Sequence, residues 1–328
     1  MTTYKTFDSA YMSVLDDLYY HADFYNAPRG FKSREKLAFD FEIENPVQRG
    51  IYNTKRKCNI IFNFAEALWY LSGSNKLSDI SYYNQRMTNY SMNKQTLTGT
   101  AYGSKIFHFG QAQLNQWENV KKILRKDPDS KRAVIQIFDA NELAVADNLD
   151  VSCTLGLQFL IRHNKLQMIT YMRANDAFRG MVSDVFSFTI IQELMATELN
   201  LAVGNYYHRV GTMHIYEPDN QWVTHVLKEK RYNQFVFPSM PKENNWLMIQ
   251  KLMTYEKQLR QNQLTMSWQS IEQTGLSIYW QQVLALLSIY QMIYYHKIID
   301  DVIVAHLLPI YRFFLHNKWP NIIKAGKL

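Results

Sequence analysis

Cys153 is one of only two cysteines in 328 residues, and it stands in the strand-like stretch Asp150-Val-Ser-Cys153-Thr154. A cysteine there either fills a small apolar space or serves as a nucleophile. Glu66 is a second candidate, flanked by Ala65, Ala67, Leu68 and Trp69 in the apolar run 57–71. Facing solvent it is an ordinary carboxylate; buried, its pKa rises into the range that suits proton transfer. Two basic groupings come third: Lys131-Arg132 after Asp127-Pro128, and Arg173 ahead of Asp176. Each is either a solvated surface pair or the grip for an anion. Glycine numbers only 12, so a glycine-rich phosphate loop is not expected and side-chain cations would hold any phosphate. Neither cysteine lies in a C-x-x-C pair, so no metal centre is expected.

The elements that must position these residues follow from periodicity. Residues 7–20 read as an amphipathic helix, and Leu37, Phe39, Phe41 and Ile43 alternate as a strand. Residues 57–71 read as a mostly buried helix, and 111–126 as a helix ended by Asp127-Pro128. Strands are expected at 133–138, 152–161, 165–172 and 203–216, with a helix at 185–199 among them. This mixture lacks regular βαβ alternation and predicts an α+β fold, a large mixed sheet with flanking helices. The character changes at Phe237-Pro238-Ser239-Met240-Pro241, beyond which Gln, Leu, Ile and Tyr recur at helical spacing. Residues 1–240 are expected to form the catalytic unit and 241–328 a helical C-terminal extension. Residues 273–296 carry no Asp, Glu, Lys or Arg, but Gln273, Gln281, Gln282 and Gln291 would be costly in lipid. A buried helix is expected there, and no membrane contact.

Composition bounds the rest. Hydrophobic residues make up 47% and charged residues 20%, which excludes a disordered chain. The net charge of +7 suits anionic ligands. No dense Lys/Arg tract interleaved with aromatics marks stable nucleic-acid binding. Two cysteines form no disulfide framework, and the opening thirty residues lack a secretory signal, so a cytoplasmic setting is expected.

Taken in order, the motifs are specific. The string Arg173-Ala-Asn-Asp176-Ala-Phe-Arg-Gly180-Met-Val-Ser-Asp184 resembles the thymidylate synthase motif R-S-x-D-x-x-x-G-x-x-x-N. Cys153 falls where that family keeps its nucleophile. Asp127-Pro-Asp-Ser-Lys131-Arg132 is similar to the family's D-P-x-S-R-R loop. Thr54-Lys55-Arg56 with Glu66-Ala-Leu-Trp-Tyr-Leu-Ser-Gly73, Thr100-Ala-Tyr102-Gly103, and Val203-Gly204 to His214-Ile-Tyr216 resemble three further segments, so the likeness spans about residues 10–220. It implies a Cys153 thiolate that adds to a pyrimidine C6, so that C5 can attack the methylene of the co-substrate 5,10-methylenetetrahydrofolate. It further implies proton shuttling by Glu66, an active-site role for Tyr102, and sugar contacts from His214 and Tyr216. The positions that meet folate are Asp176, Gly180 and Lys55. Arg29, Arg173, Lys131 and Arg132 would hold the phosphate and help ionise Cys153, the last two from the other subunit of a homodimer.

Four departures from the family pattern refine this expectation. Asp184 replaces the uracil-reading Asn; a protonated carboxyl accepts from cytosine N4 and donates to N3. Thr154 replaces the His that follows the nucleophile. The segment 83–90 lacks the family's W-x-x-W, which shields the reactive intermediate from water. Lys131 and Ala174 replace an Arg and a Ser of the phosphate site, a combination that resembles the hydroxymethylases of nucleoside-antibiotic pathways. The expected activity is therefore CMP 5-hydroxymethylation. The alternatives are a dCMP hydroxymethylase for modified DNA, a methylating synthase, or a non-catalytic nucleic-acid-binding relative.

Overall fold

The computed structural model describes residues 1–230 and 232–323, so residues 324–328 of the expected extension lie outside it. Seven strands form one mixed sheet: β1 (Thr2–Tyr4), β2 (Phe24–Asn26), β3 (Ser33–Ile43), β4 (Val134–Gln136), β5 (Thr154–Arg162), β6 (Lys165–Asp176) and β7 (Ala202–Tyr216). Their order is β1-β3-β7-β6-β5-β4, with β2 on β3. β6 and β7 run parallel, as do β1 and β3, while the remaining pairs are antiparallel. This is the α+β class the sequence predicts. Alternation sets the faces: Leu166, Met168, Thr170 and Met172 of β6 are all buried.

Among the described residues twelve α-helices pack on the sheet or on one another. They are α1 (Phe7–His21), α2 (Ile60–Ser72), α3 (Leu77–Ser81), α4 (Tyr102–Phe107), α5 (Gln116–Lys126), α6 (Gly180–Glu198), α7 (Asn220–Lys228), α8 (Asn245–Arg260), α9 (Trp268–Glu272), α10 (Ile278–Tyr294), α11 (Asp301–His306) and α12 (Pro309–Lys318). A parallel strand pair needs a crossover, and α6 supplies it between β6 and β7. Its near-continuous burial from Val185 to Ala196 explains why no single apolar stripe marks it in the sequence.

Three helix starts differ from expectation. α2 begins at Ile60, three residues later than expected, because the Asn59 side chain accepts from the Phe62 amide at 3.1 Å and caps it there. α5 begins at Gln116 because the Asn115 side chain accepts from the Glu118 amide at 3.0 Å and caps it there. α6 begins at Gly180, five residues before the expected start, so Asp184 lies within its first turns and does not cap it.

From Asn245 onward the described elements are all helical, and they share the hydrophobic core with the sheet and α2. The glutamines of α10 bond to protein. Gln282 donates to the His306 carbonyl at 2.9 Å and accepts from the Leu308 amide at 2.7 Å. Gln291 donates to the Leu264 carbonyl at 2.5 Å. Among the described residues no helix is long and apolar enough to cross a membrane.

One buried ion pair ties α6 to the chain on both sides. Arg49 Nη2 meets Glu193 Oε2 at 2.6 Å, Arg49 Nε donates to Thr189 Oγ1 at 3.0 Å, and Glu193 Oε1 accepts the Met240 amide at 2.7 Å. The Arg49 side chain is 0% exposed and that of Glu193 3%. Removing one partner strands the other charge in the core. Glu193→Leu should therefore cost about 3–5 kcal/mol, read as a lower denaturant midpoint in an equilibrium unfolding curve.

Candidate active site

The sheet register assembles the site. Cys153 immediately precedes β5, and its carbonyl accepts the Arg173 amide of β6 at 2.8 Å. The Arg173 guanidinium folds back over the same segment. It donates to the Ser152 and Val151 carbonyls, each at 2.9 Å, and Nη2 reaches Cys153 Sγ at 3.6 Å. One step further along β6, Asp176 lies opposite His214 of β7. The His214 ring meets Tyr216 edge-on at 4.8 Å. The register also shifts between Thr154 and Gly156, an irregularity beside the cysteine of the kind that re-aims a side chain.

α6 and α2 close the site from one face. Gly180 opens α6, and a Cβ there would sit 3.3 Å from Asp184 Oδ2 and 3.2 Å from Asn175 Nδ2. The missing side chain leaves room for these two groups to bond at 2.7 Å. Glu66 is buried on α2, where the Ser187 hydroxyl of α6 donates to it at 3.3 Å. Tyr102 opens α4, with its ring stacked on Tyr70 at 5.0 Å. That stack requires helix α4 to touch α2: a Cβ on Gly103 would fall 2.0 Å from the Tyr70 carbonyl oxygen.

Electrostatics follow from this enclosure. Burial lifts the Glu66 carboxyl from 4.5 to about 8, and the Asp184 charge adds to the rise. Burial likewise lifts Asp184 from 3.8 to about 7, against the Asn175 hydrogen bond that favours its charged form. Two acids that take up and release protons near neutrality thus share one pocket. Burial raises Asp176 and lowers its partner His214. Asp176 Oδ1 accepts the Phe178 amide at 2.9 Å and the Arg179 amide at 3.0 Å.

Cys153 is set among charges of both signs. Its thiol is pushed up by burial first, with Arg173 and Arg29 opposing and Asp184 and Asp150 adding to the rise. The resident cations therefore do not ionise it in the unliganded protein. Arg29 sits in the tight turn Pro28–Gly30 with φ 53°, exposed, and its charge reaches both Cys153 and Tyr216. Lys131 and Arg132 are exposed just before β4; Ala174 pairs with Thr212 in the sheet. Within one chain, the charges that bear most on Cys153 include neither Lys131 nor Arg132.

Lys55 lies in the short turn Thr54–Arg56 ahead of α2. It is exposed, and its backbone amide bonds Asn53 Oδ1 at 3.1 Å and Glu229 Oε2 at 3.3 Å. The neighbouring Arg56 points inward instead. It donates to the Tyr11 hydroxyl and the Phe178 carbonyl, both at 2.8 Å, and its charge is felt by Asp176. Nothing in the sequence separates two adjacent cations in a turn; the inward one is fixed by the Tyr11 hydroxyl, whose position depends on α1. In the segment 83–90, Tyr83 donates to Glu256 of α8 at 2.9 Å and stacks on Tyr290 of α10 at 5.0 Å.

With this geometry in view, the chain can be set beside known proteins. The thymidylate synthase family model matches residues 11–269, and the chain belongs to that family. The match carries the likeness past the segment legible from motifs. A deoxyuridylate hydroxymethyltransferase of Bacillus phage SP01 is 30% identical over 223 residues, 64% of this chain and 57% of that protein. The match thus spans little more than half of the phage protein's length. A thymidylate synthase of Buchnera aphidicola is 25% identical over 183 residues, 54% of this chain and 68% of the relative.

The buried carboxyl of Glu66 makes a prediction about stability. Its folded pKa, about 8, lies above its free value of 4.5, so the folded state binds more protons between these limits. The associated stability is present below pH 4.5 and is lost as pH rises through 8. Glu66→Gln should therefore flatten the fall in unfolding free energy between pH 5 and pH 9, by roughly a few kcal/mol. Parallel curves for the variant and the parent would show that Glu66 titrates normally.

Proposed function

We propose that this protein is a pyrimidine nucleotide C5 hydroxymethyltransferase acting on CMP. In this reading CMP, 5,10-methylenetetrahydrofolate and water give 5-hydroxymethyl-CMP and tetrahydrofolate. The observation that carries it is Asp184, an acid held near neutrality where an amide would read uracil. As a neutral carboxyl it accepts from N4–H and donates to N3, the pattern cytosine needs.

The chain's own residues then have these tasks. Cys153 adds to C6, and Asp184 gives N3 a proton as charge builds on the ring. Bound phosphate gathers Arg29, Arg173 and, from the second subunit of a homodimer, Lys131 and Arg132. That binding places further positive charge beside a thiol whose burial otherwise keeps it protonated. Glu66, lifted to about 8, exchanges protons with groups at the C4–C5 edge, and Tyr102 lies beside it. His214 and Tyr216 face the sugar. Folate fits the open end: Asp176 Oδ1 is occupied by two backbone amides, which leaves Oδ2 to accept from a pterin N–H, and Gly180 leaves space alongside. Bound there, methylenetetrahydrofolate would supply the one-carbon unit that C5 takes up.

Hydroxylation in place of methylation is supported by Tyr83, drawn to α8 and α10 where the family keeps shielding tryptophans, and by the phage relative's name. Lys131 and Ala174 support a ribonucleotide over dCMP, because Lys lacks the bidentate grip of Arg and Ala offers no hydroxyl. Residues 1–240 carry the chemistry in a cytoplasmic enzyme, and the described helices from Asn245 onward brace them. A second reading, hydroxymethylation of a uracil deoxynucleotide, is favoured by the substrate named for the phage relative.

Incubating the enzyme with methylenetetrahydrofolate and each of CMP, dCMP, UMP and dUMP, followed by product analysis, should yield 5-hydroxymethyl-CMP most efficiently. Cys153→Ala should abolish turnover while nucleotide binding persists. A uracil nucleotide as best substrate overturns the reading of Asp184, and a methylated product overturns hydroxylation. Asp184→Asn should move kcat/KM from cytosine toward uracil nucleotides by about ten- to a hundredfold, the cost of one unpaired buried donor or acceptor. An unchanged ratio in that variant would remove Asp184 from base reading.

A further inference from the structure

Asn175 belongs to the motif string but has no task in the reaction so far. Its side chain is the middle of a buried chain of hydrogen bonds. Tyr206 Oη lies 2.8 Å from His208 Nδ1, His208 Nε2 lies 3.0 Å from Asn175 Oδ1, and Asn175 Nδ2 donates to Asp184 Oδ2 at 2.7 Å. Tyr206 and His208 are 0% exposed and Asn175 4%. His208 also stacks on Phe41 with ring centres 4.9 Å apart, which holds the imidazole plane.

A phenol at one end and a carboxyl oxygen at the other favour one polarity for this chain. The phenol can donate to Nδ1, so Nε2 carries the imidazole hydrogen and donates to the Asn175 carbonyl. That bond turns the amide so that its NH2 faces Asp184. Every donor then points toward Asp184 Oδ2. Burial holds His208 neutral, lowered from 6.5 to about 3, so the direction does not reverse over the working pH range.

We infer that Tyr206, His208 and Asn175 are positioning residues that fix which oxygen of Asp184 carries its proton, and thereby set cytosine over uracil. With Oδ2 committed as acceptor, the acid hydrogen resides on Oδ1. Oδ2 keeps a second lone pair for cytosine N4–H while Oδ1–H donates to N3. Uracil would need the opposite pattern, which a freely turning amide would help Asp184 to present. This rests on the proposed role of Asp184 in reading the base. Other groups bearing on Asp184 or feeling its charge are Asp176 on β6, Glu66 and Tyr70 on α2, Tyr102 on α4, Tyr206 on β7 and Cys153 before β5. Of these only Tyr206 bears on the Asn175 amide, through His208.

The test compares the parent with His208→Phe, which keeps the stacking ring but severs the relay, and His208→Gln, which can accept and donate in the same sense. The cytosine-to-uracil ratio of kcat/KM should fall about tenfold in His208→Phe and recover in His208→Gln. Loss of the ordered donor should raise the Asp184 pKa, moving the alkaline limb of kcat/KM to higher pH. A folded His208→Phe with unchanged ratio and limb overturns the inference. Should His208→Phe not fold, Tyr206→Phe and the nitrogen-15 spectrum of the parent imidazole decide. A neutral Nε2–H tautomer that persists at pH 5, with a reduced base ratio in Tyr206→Phe, supports the relay; an Nδ1–H tautomer, a protonated ring, or an unchanged ratio defeats it. A parent enzyme indifferent to the base defeats the proposed function instead. The relay is then judged by the tautomer and by carbon-13 titration of Asp184, whose pKa rises in Tyr206→Phe if the relay holds and stays put if it does not.

Discussion

The parallel pairing of β6 with β7 is the constraint on which the site depends. One register puts Thr170 beside His208, Ala174 beside Thr212 and Asp176 beside His214. Side chains alternate across a strand, so a slip of one residue would turn Arg173, Asn175 and their neighbours to the opposite faces. The parallel pair also demands the crossover helix α6, and that helix carries Asp184 and Ser187 to Asn175 and Glu66. Register and crossover together place an acid from a helix against an amide from a strand.

Enclosure by α2, α4 and α6 then decides the charge state. Glu66, Asp184 and the Cys153 thiol are all shifted toward their neutral forms by burial. A neutral pocket is cheaper to fold than one that holds two carboxylates and a thiolate without solvent. Under the proposed function it also leaves the charge balance to be completed by a nucleotide, whose phosphate would collect cations and whose base would hydrogen-bond the acids. The exposed Arg29 and the exposed pair Lys131 and Arg132 suit that order of events, because they stay hydrated until the ligand arrives.

Much of this arrangement was legible in the sequence, and the reasons differ by element. β3 to β7 were readable because each buries one face, as in Phe41 and Ile43 of β3, whereas the short and largely exposed β1 and β2 gave no such signal. The motif spacing pointed to Cys153, Glu66, Tyr102, Arg173, Asp176 and Asp184, whose charges act on one another in the fold. α6 was misplaced at its start because a helix buried on all sides carries no periodic stripe. The inward turn of Arg56 was not legible, because only tertiary packing against Tyr11 and Phe178 selects which of two adjacent cations is buried. The hydrogen-bonded chain from Tyr206 to Asp184 joins β7, β6 and α6; no local pattern announces contacts between residues so far apart.

That same chain explains why polar side chains persist in a core that apolar ones could fill. A buried network in which every donor meets an acceptor is stable and directional, whereas one missing member leaves several unpaired groups in low dielectric. Phe41 holds the His208 ring from one side, and Gly180 withholds the Cβ that would crowd Asn175 and Asp184. Each of these residues restricts the orientation of the next, so the freedom of a carboxyl on α6 is set by a phenol on β7. If Asp184 reads the base as proposed, precision there comes from the sheet behind it, and the helix only brings the acid within reach.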